Sequence, residues 1–159
     1  PNNLIGLRDS QRYCRTIVQR SGSSFAKSFA FLRSDAQQAM HTLYAFARLT
    51  DDLSDESDAN RAAISADEAK QIIEALRSWL DDLIPEQSSV ELRIPLANAS
   101  SVQAKSAIYG FQQISLAVAD MLGQFSIDKR HLQALLDGAA FDLQPTPIIE
   151  SHTQLDQYC

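Results

Sequence analysis

The sequence predicts an all-α protein. Only five glycines and five prolines occur in 159 residues, and along most of the chain apolar residues recur with the spacing of amphipathic helices. Hydrophobic residues make up 45% and charged residues 21%, a balance typical of a soluble globular domain. We therefore expect one helical domain over residues 1–159, because this length suffices for a single hydrophobic core.

The first helix and a short aromatic segment precede the most informative part of the chain. Residues 7–21 predict a helix with Ile17 and Val18 facing inward. A Ser-Gly-Ser-Ser sequence then breaks the pattern, and Phe25 and Phe29 follow four residues apart. Packing in an aromatic core is the simpler explanation for these phenylalanines. The wall of an apolar binding site is the alternative.

Residues 34–56 predict the helix around which we expect a functional site to form. One face repeats apolar residues at helical spacing and is predicted to be buried: Ala36, Met40, Leu43 and Ala47. A second stripe with the same spacing lies within an arc of roughly 60°: Tyr44, Arg48, Asp51 and Asp55. Because the stripe borders the apolar face, we expect it to lie at the edge of the core and face a cavity.

The carboxylates at the end of this helix have no evident role in its stability. Acids at a helix C-terminus oppose the macrodipole, at about 0.3–1 kcal/mol each. Asp51 and Asp55 lie one turn apart, and Mg²⁺ usually takes one or two carboxylates together with substrate phosphate oxygens. The alternative is a solvated acidic helix end, as expected for Asp81 and Asp82, which have no third acid beside them. The tyrosine and arginine on the same stripe favour the Mg²⁺ site.

Three further helices are predicted from apolar residues at helical spacing. Their ranges are 67–84, 102–124 and 129–141. Asp67 is the expected N-cap of the first of them. Residues 85–101 are rich in Pro, Ser and Asn and predict a linker with one short helical turn. A last helix is expected to begin at Thr153, after two prolines.

Charge and cysteine content exclude several functions. A net charge of −6 and a pI near 4.9 disfavour nucleic acid as a partner. Cys14 and Cys159 match no disulfide framework or zinc spacing, so a reducing cytoplasm is the expected location. The sequence has no apolar run of 18 residues and no glycine-rich phosphate loop.

At its most specific string the sequence resembles the squalene/phytoene synthase family of head-to-head prenyl transferases. That string is Tyr-Ala-Phe-Ala-Arg-Leu-Thr-Asp-Asp-Leu-Ser-Asp at 44–55. Supporting pieces are Ser24-Phe25, Leu135-Leu136-Asp137-Gly138 with Asp142-Leu143, and Leu155 with Tyr158-Cys159. In this order the pieces span essentially the whole chain.

The resemblance implies an isoprenoid-synthase-type helical bundle around a central cavity. In the family, two prenyl diphosphates bind there with Mg²⁺, which two aspartate-rich motifs hold. Asp51 and Asp55 match the first motif as metal ligands, and Tyr44 and Arg48 match catalytic positions near the diphosphates. Substrate-binding positions are matched by Ser24, Phe25, Phe29, Asp52, Asp142 and Tyr158.

Two departures from the family pattern carry consequences. Leu32-Arg33 stands where the family often has Leu-Pro. The second aspartate motif belongs beyond residue 159, so the resemblance implies that residues 1–159 are the N-terminal portion of a longer domain. We expect this portion to be inactive alone, and to expose an apolar strip that includes some of Phe25, Phe29 and Tyr44. Either the portion self-associates through this strip, or it belongs to a longer polypeptide.

The leading interpretation is head-to-head condensation of two farnesyl or geranylgeranyl diphosphates through a cyclopropyl diphosphate. A head-to-tail prenyl synthase or terpene cyclase shares the aspartate motif but normally lacks the preceding Tyr-x-x-x-Arg. An inactive helical partner module of the same fold is the alternative from another class. Chain length, product and use of NADPH stay open, and an apolar product adds peripheral membrane association to the expected cytoplasmic location.

Overall fold

In the computed structural model the chain folds into helices, as its sequence predicts. The structure describes residues 6–54, 64–83, 92, 94 and 99–144, and no β-strand occurs within these ranges. The predicted helix at Thr153 and most of the predicted linker lie outside them. The described helices are α1 (Leu7–Arg20), α2 (Ser24–Lys27), a 3₁₀ helix (Ser28–Phe31), α3 (Ser34–Ser54), α4 (Ala66–Asp82), α5 (Val102–Gln124) and α6 (Arg130–Asp142).

The predicted boundaries of α1, α4, α5 and α6 agree with the structure to within two residues, but the predicted N-cap of α4 is wrong. Ser65, not Asp67, caps this helix. Ser65 Oγ accepts a hydrogen bond from the Glu68 backbone N–H at 3.2 Å, and the Glu68 carboxylate accepts one from the Ser65 N–H at 3.3 Å. This reciprocal capping box satisfies two donors that a helix N-terminus leaves unpaired. Asp67 lies inside the first turn, where its charge suits the helix dipole.

Helices α1, α3 and α5 pack against one another, and α6 packs against α3 and α4. The aromatic pair of Phe46 and Phe111 joins α3 to α5, with ring centroids 5.9 Å apart. The Ser10 side chain of α1 accepts a hydrogen bond from the Ala117 backbone N–H of α5 at 3.0 Å. The core therefore lies between α3 and α5, with α4 and α6 covering its far side.

The buried face of α3 differs from the predicted one. The four residues of the predicted apolar face are only half-buried. The buried side chains of α3 are instead His41, Thr42, Ala45, Phe46, Thr50 and Leu53. This face is buried because α5 packs on it, with Phe46 against Phe111. The two helices approach so closely that a Cβ at Gly110 would meet the Leu49 side chain at 3.1 Å. The predicted polar stripe consequently lies farther from this core than its sequence spacing suggests.

Candidate active site

The predicted polar stripe is present on α3, and its side chains become more exposed toward the C-terminal end of the helix. Tyr44 is half-buried, whereas Arg48 and Asp51 are exposed. The three residues share one side of the helix, because they are spaced by four and three residues. Asp55, the fourth member of the stripe and the second predicted metal ligand, lies outside the described residues.

Arg48 forms an ion pair with Asp52, at 2.9 Å between guanidinium nitrogen and carboxylate oxygen. Both side chains keep nearly half of their surface exposed, 49% for the arginine and 41% for the aspartate. Exposed pairs of this kind stabilise a protein by about 0–1 kcal/mol. The guanidinium can therefore leave this carboxylate for a diphosphate at little cost. The pair also directs the guanidinium toward the acidic end of α3.

Phe29 brings an aromatic ring to the stripe. It belongs to the 3₁₀ helix, is only 2% exposed, and lies edge-on to Tyr44 with ring centroids 6.3 Å apart. The Gln37 side chain of α3 donates a hydrogen bond to the Phe29 carbonyl at 3.1 Å, which ties the 3₁₀ helix to α3. Phe29 is therefore not part of the exposed apolar strip that we expected to include some of Phe25, Phe29 and Tyr44, because α3 covers its ring. Packing in the core and contact with the candidate site therefore coexist at this residue.

Two other predicted substrate-binding residues lie away from this contact. Ser24 is exposed at the start of α2, and nothing is described for the Phe25 side chain. Asp142 is exposed at the last residue of α6, and within the described ranges it makes no hydrogen bond or ion pair with the stripe. Tyr158 lies outside those ranges. The structure thus groups the stripe with Phe29 and leaves the roles of these residues as predictions.

His41 is a residue at the site that sequence reasoning missed. It is 7% exposed, its ring centroid lies 5.9 Å from that of Phe29, and its Nδ1 has no hydrogen-bond partner in the described part of the chain. Burial lowers the pKa of the imidazole, and the charge of Arg15 lowers it further. The ring is therefore mainly neutral at pH 7. Its position three residues before Tyr44 was the available signal.

Among the described residues, the end of α3 supplies some but not all of the ligands that a hard divalent cation needs. Asp51 offers exposed carboxylate oxygens, the ligands that Mg²⁺ prefers. Asp52 is engaged by the guanidinium, and the described ranges contain no cluster of three potential metal ligands. Any complete ligand set must therefore include residues beyond these ranges.

A cleft in the described part of the chain lies elsewhere, between α4 and the start of α5. Its lining is mostly apolar, and its charged member is Glu68: Glu68, Gln71, Ile72, Ile94, Ala99, Ala104 and Ile108. The Glu68 carboxylate already accepts hydrogen bonds from neighbouring serines. We therefore assign this acid a structural role and keep the candidate site on α3.

Comparison with known proteins assigns the family. The squalene/phytoene synthase family profile matches residues 18–159. The chain therefore belongs to the squalene/phytoene synthase family. It is also similar to a bifunctional lycopene cyclase/phytoene synthase from Blakeslea trispora, with 27% identity over 134 residues. That match covers 84% of this chain and 20% of the relative, so the chain spans about one fifth of the relative's length. No solved structure matches the chain at a significant level.

Proposed function

We propose that the full-length protein joins two prenyl diphosphates head to head, in a reaction that depends on Mg²⁺. The observation that carries this proposal is the composition of one side of α3. There a guanidinium and two carboxylates follow directly on an aromatic contact, that of Phe29 with Tyr44. A prenyl diphosphate has an anionic head and an apolar tail, so its binding site requires a charged environment and an aromatic one side by side.

The charged end of α3 serves the leaving group. Ionisation of an allylic diphosphate develops negative charge on the departing oxygens, and preorganised cations lower that barrier most effectively. Arg48 is exposed and held by a weak ion pair, so it binds the diphosphate by exchanging Asp52 for phosphate oxygens. Asp51, together with the predicted ligand Asp55, would hold Mg²⁺, which supplies further charge neutralisation when bound.

The aromatic end of the same side serves the carbocation. Loss of diphosphate leaves a cation that must be kept from water, and an apolar wall achieves this. Aromatic ring faces also attract cations, by about 0.5–2 kcal/mol. Tyr44 offers such a ring one turn before Arg48, and the ring of Phe29 lies edge-on to it. C1 of the cation then bonds to the double bond of the second molecule, which moves the positive charge to the neighbouring carbon of that bond. Loss of one proton from C1 to the released diphosphate closes the ring of a cyclopropyl diphosphate, so no nucleophilic side chain is required.

Product analysis tests this proposal. The full-length protein is incubated separately with farnesyl and geranylgeranyl diphosphate, with Mg²⁺ or with a chelator, and with or without NADPH. We expect a cyclopropyl diphosphate, or a squalene- or phytoene-type hydrocarbon derived from it, only in the presence of Mg²⁺. A lengthened prenyl diphosphate would instead identify a head-to-tail synthase. The absence of any product from either substrate would identify an inactive partner module.

A further inference from the structure

Charge is distributed very unevenly along this chain. Residues 1–33 contain six basic side chains and one acidic side chain, for a net charge of +5. The remaining residues contain eight basic and nineteen acidic side chains, for a net charge of −11. A protein with an overall charge of −6 thus carries a concentrated positive segment, and the proposed reaction does not use the basic side chains of that segment.

The exposed face of α1 holds half of this positive charge. Arg8, Arg12 and Arg15 follow one another at spacings of four and three residues and are exposed, whereas Cys14 and Val18 point into the core. The helix is therefore strongly amphipathic, with a cationic outer face. Within the described ranges Arg8 and Arg15 make no ion pair.

Arg12 alone of these three has a carboxylate partner in the described part of the chain, Asp9 at 3.2 Å. Both side chains are largely exposed, so this pair screens little of the positive charge. The cationic face is consequently available to an external anion.

An apolar tip lies at the end of the 3₁₀ helix, which packs on α3, as α1 does. Phe31 is 92% exposed and Leu32 is 42% exposed, at the end of the 3₁₀ helix. Phe29, two residues earlier, packs on His41, and the same imidazole feels the charge of Arg15. The tip and the cationic face therefore flank the same part of α3.

We propose that Arg8, Arg12 and Arg15 of α1, with Phe31 and Leu32, form a surface that docks on anionic lipid bilayers. Arginine side chains are attracted to anionic headgroups, and an exposed aromatic residue gains by entering the interface. The acidic remainder of the chain is repelled, so it orients the molecule with this surface toward the lipid. In the described part of the chain no helix could cross the bilayer, and binding is peripheral.

This inference does not depend on the proposed reaction, since lipid binding is measured without any substrate. The full-length protein is sedimented with vesicles of phosphatidylcholine alone, or of phosphatidylcholine mixed with phosphatidylglycerol. We expect binding to the mixed vesicles only, and weaker binding as salt concentration rises. Replacement of two arginines, Arg8→Gln with Arg15→Gln, should weaken binding about thirtyfold. Phe31→Ala should weaken it about tenfold.

A matched control replaces the same number of charges elsewhere. Lys70 and Lys105 are exposed on α4 and α5, so the Lys70→Gln with Lys105→Gln variant should bind mixed vesicles like the unmodified protein. All four substituted positions are exposed, and their replacement should leave the fold intact, as circular dichroism can verify. Equal losses in the control and the arginine variant would overturn the proposal. Absence of binding to mixed vesicles would also overturn it, in favour of an acidic protein partner.

Discussion

Glu68 and Asp51 are carboxylates at opposite kinds of helix end, and their surroundings differ accordingly. Glu68 is buried in the first turn of α4, where the helix dipole favours negative charge. Asp51 is exposed in the last turn of α3, where the dipole opposes it. An acid in the first setting contributes to folding. An acid in the second gains nothing from the dipole, and its exposure lets a cation from solvent reach it.

Six hydrogen bonds hold the Glu68 carboxylate. Ser65, Ser100 and Ser101 each donate one from the backbone N–H and one from the hydroxyl, at 2.8–3.3 Å. These bonds lower the pKa of Glu68 to about 2, and the bond from the Ser101 N–H has the largest effect. Burial of the carboxylate acts in the opposite direction. Since Ser65 caps α4 and Ser101 caps α5, one carboxylate joins the N-termini of two helices.

The largest expected effect separates activity from stability at the end of α3. Asp51→Asn should lower turnover by about 10²–10³-fold, because it removes a proposed ligand of the Mg²⁺ that would neutralise the leaving diphosphate. Its melting temperature should not fall, since an acid at this helix end opposes the dipole. Asp82→Asn is the matched control, an exposed acid at the last residue of α4, and should change neither quantity. Product formation at saturating Mg²⁺ and thermal circular dichroism measure both. Unfolding of Asp51→Asn would make this acid structural and remove the contrast with Glu68.

The second expected effect is on stability at the start of α4. Glu68→Gln should lower the melting temperature at neutral pH, because the amide NH₂ would face serine donors. The folded pKa of about 2 lies below the unfolded value of about 4.3, so the carboxylate stabilises the fold above that unfolded value. This stabilisation is lost as the pH falls through the folded pKa.

The difference in melting temperature between the unmodified protein and Glu68→Gln should therefore shrink as the pH is lowered from about 4.3 to about 2. Arg130 holds the pKa of Asp128 at about 2 as well, but that contribution is common to both proteins and cancels. Glu74→Gln, an exposed acid on the same helix, should show no comparable loss. A difference that stays constant with pH would exclude ionised Glu68 as the stabilising species.

The contrast between these two helix ends was only partly predictable from sequence. Apolar spacing located the long helices, because that spacing reflects local backbone geometry. It did not identify the buried face of α3, since burial depends on which neighbour packs there, and the contact of Leu49 with Gly110 is a tertiary feature. The Ser-x-x-Glu spacing at 65–68 could have identified the capping box. Its bonds to serines more than thirty residues away could not have been foreseen.

In the candidate site, too, features set by helix geometry were predictable from sequence, whereas features set by tertiary contacts were not. Tyr44 and Arg48 share one side of α3 as their spacing predicted, because helical periodicity fixes this. The contact of Phe29 with that side depends on the fold of α2 and the 3₁₀ helix, which the four-residue spacing of Phe25 and Phe29 does not specify. The ion pair of Arg48 with Asp52 joins two predicted residues in a way that the motif did not specify.

The smallest expected effect compares two serines, Ser101 at the start of α5 and Ser54 at the end of α3. Ser101 Oγ accepts a hydrogen bond from the Ala104 N–H and donates one to Glu68, both at 3.1 Å. Ser101→Ala removes the N-cap of α5 and should lower the free energy of unfolding by about 1–2 kcal/mol. Ser54 Oγ donates to the Asp51 carbonyl at 3.3 Å and, within the described ranges, to no other group, so Ser54→Ala should change the free energy of unfolding by less than about 0.5 kcal/mol. Urea denaturation measures both values, and Ser101→Thr, which keeps the hydroxyl, should restore most of the loss. Equal losses in the two alanine variants would show that the end of α3 is as structural as the start of α5.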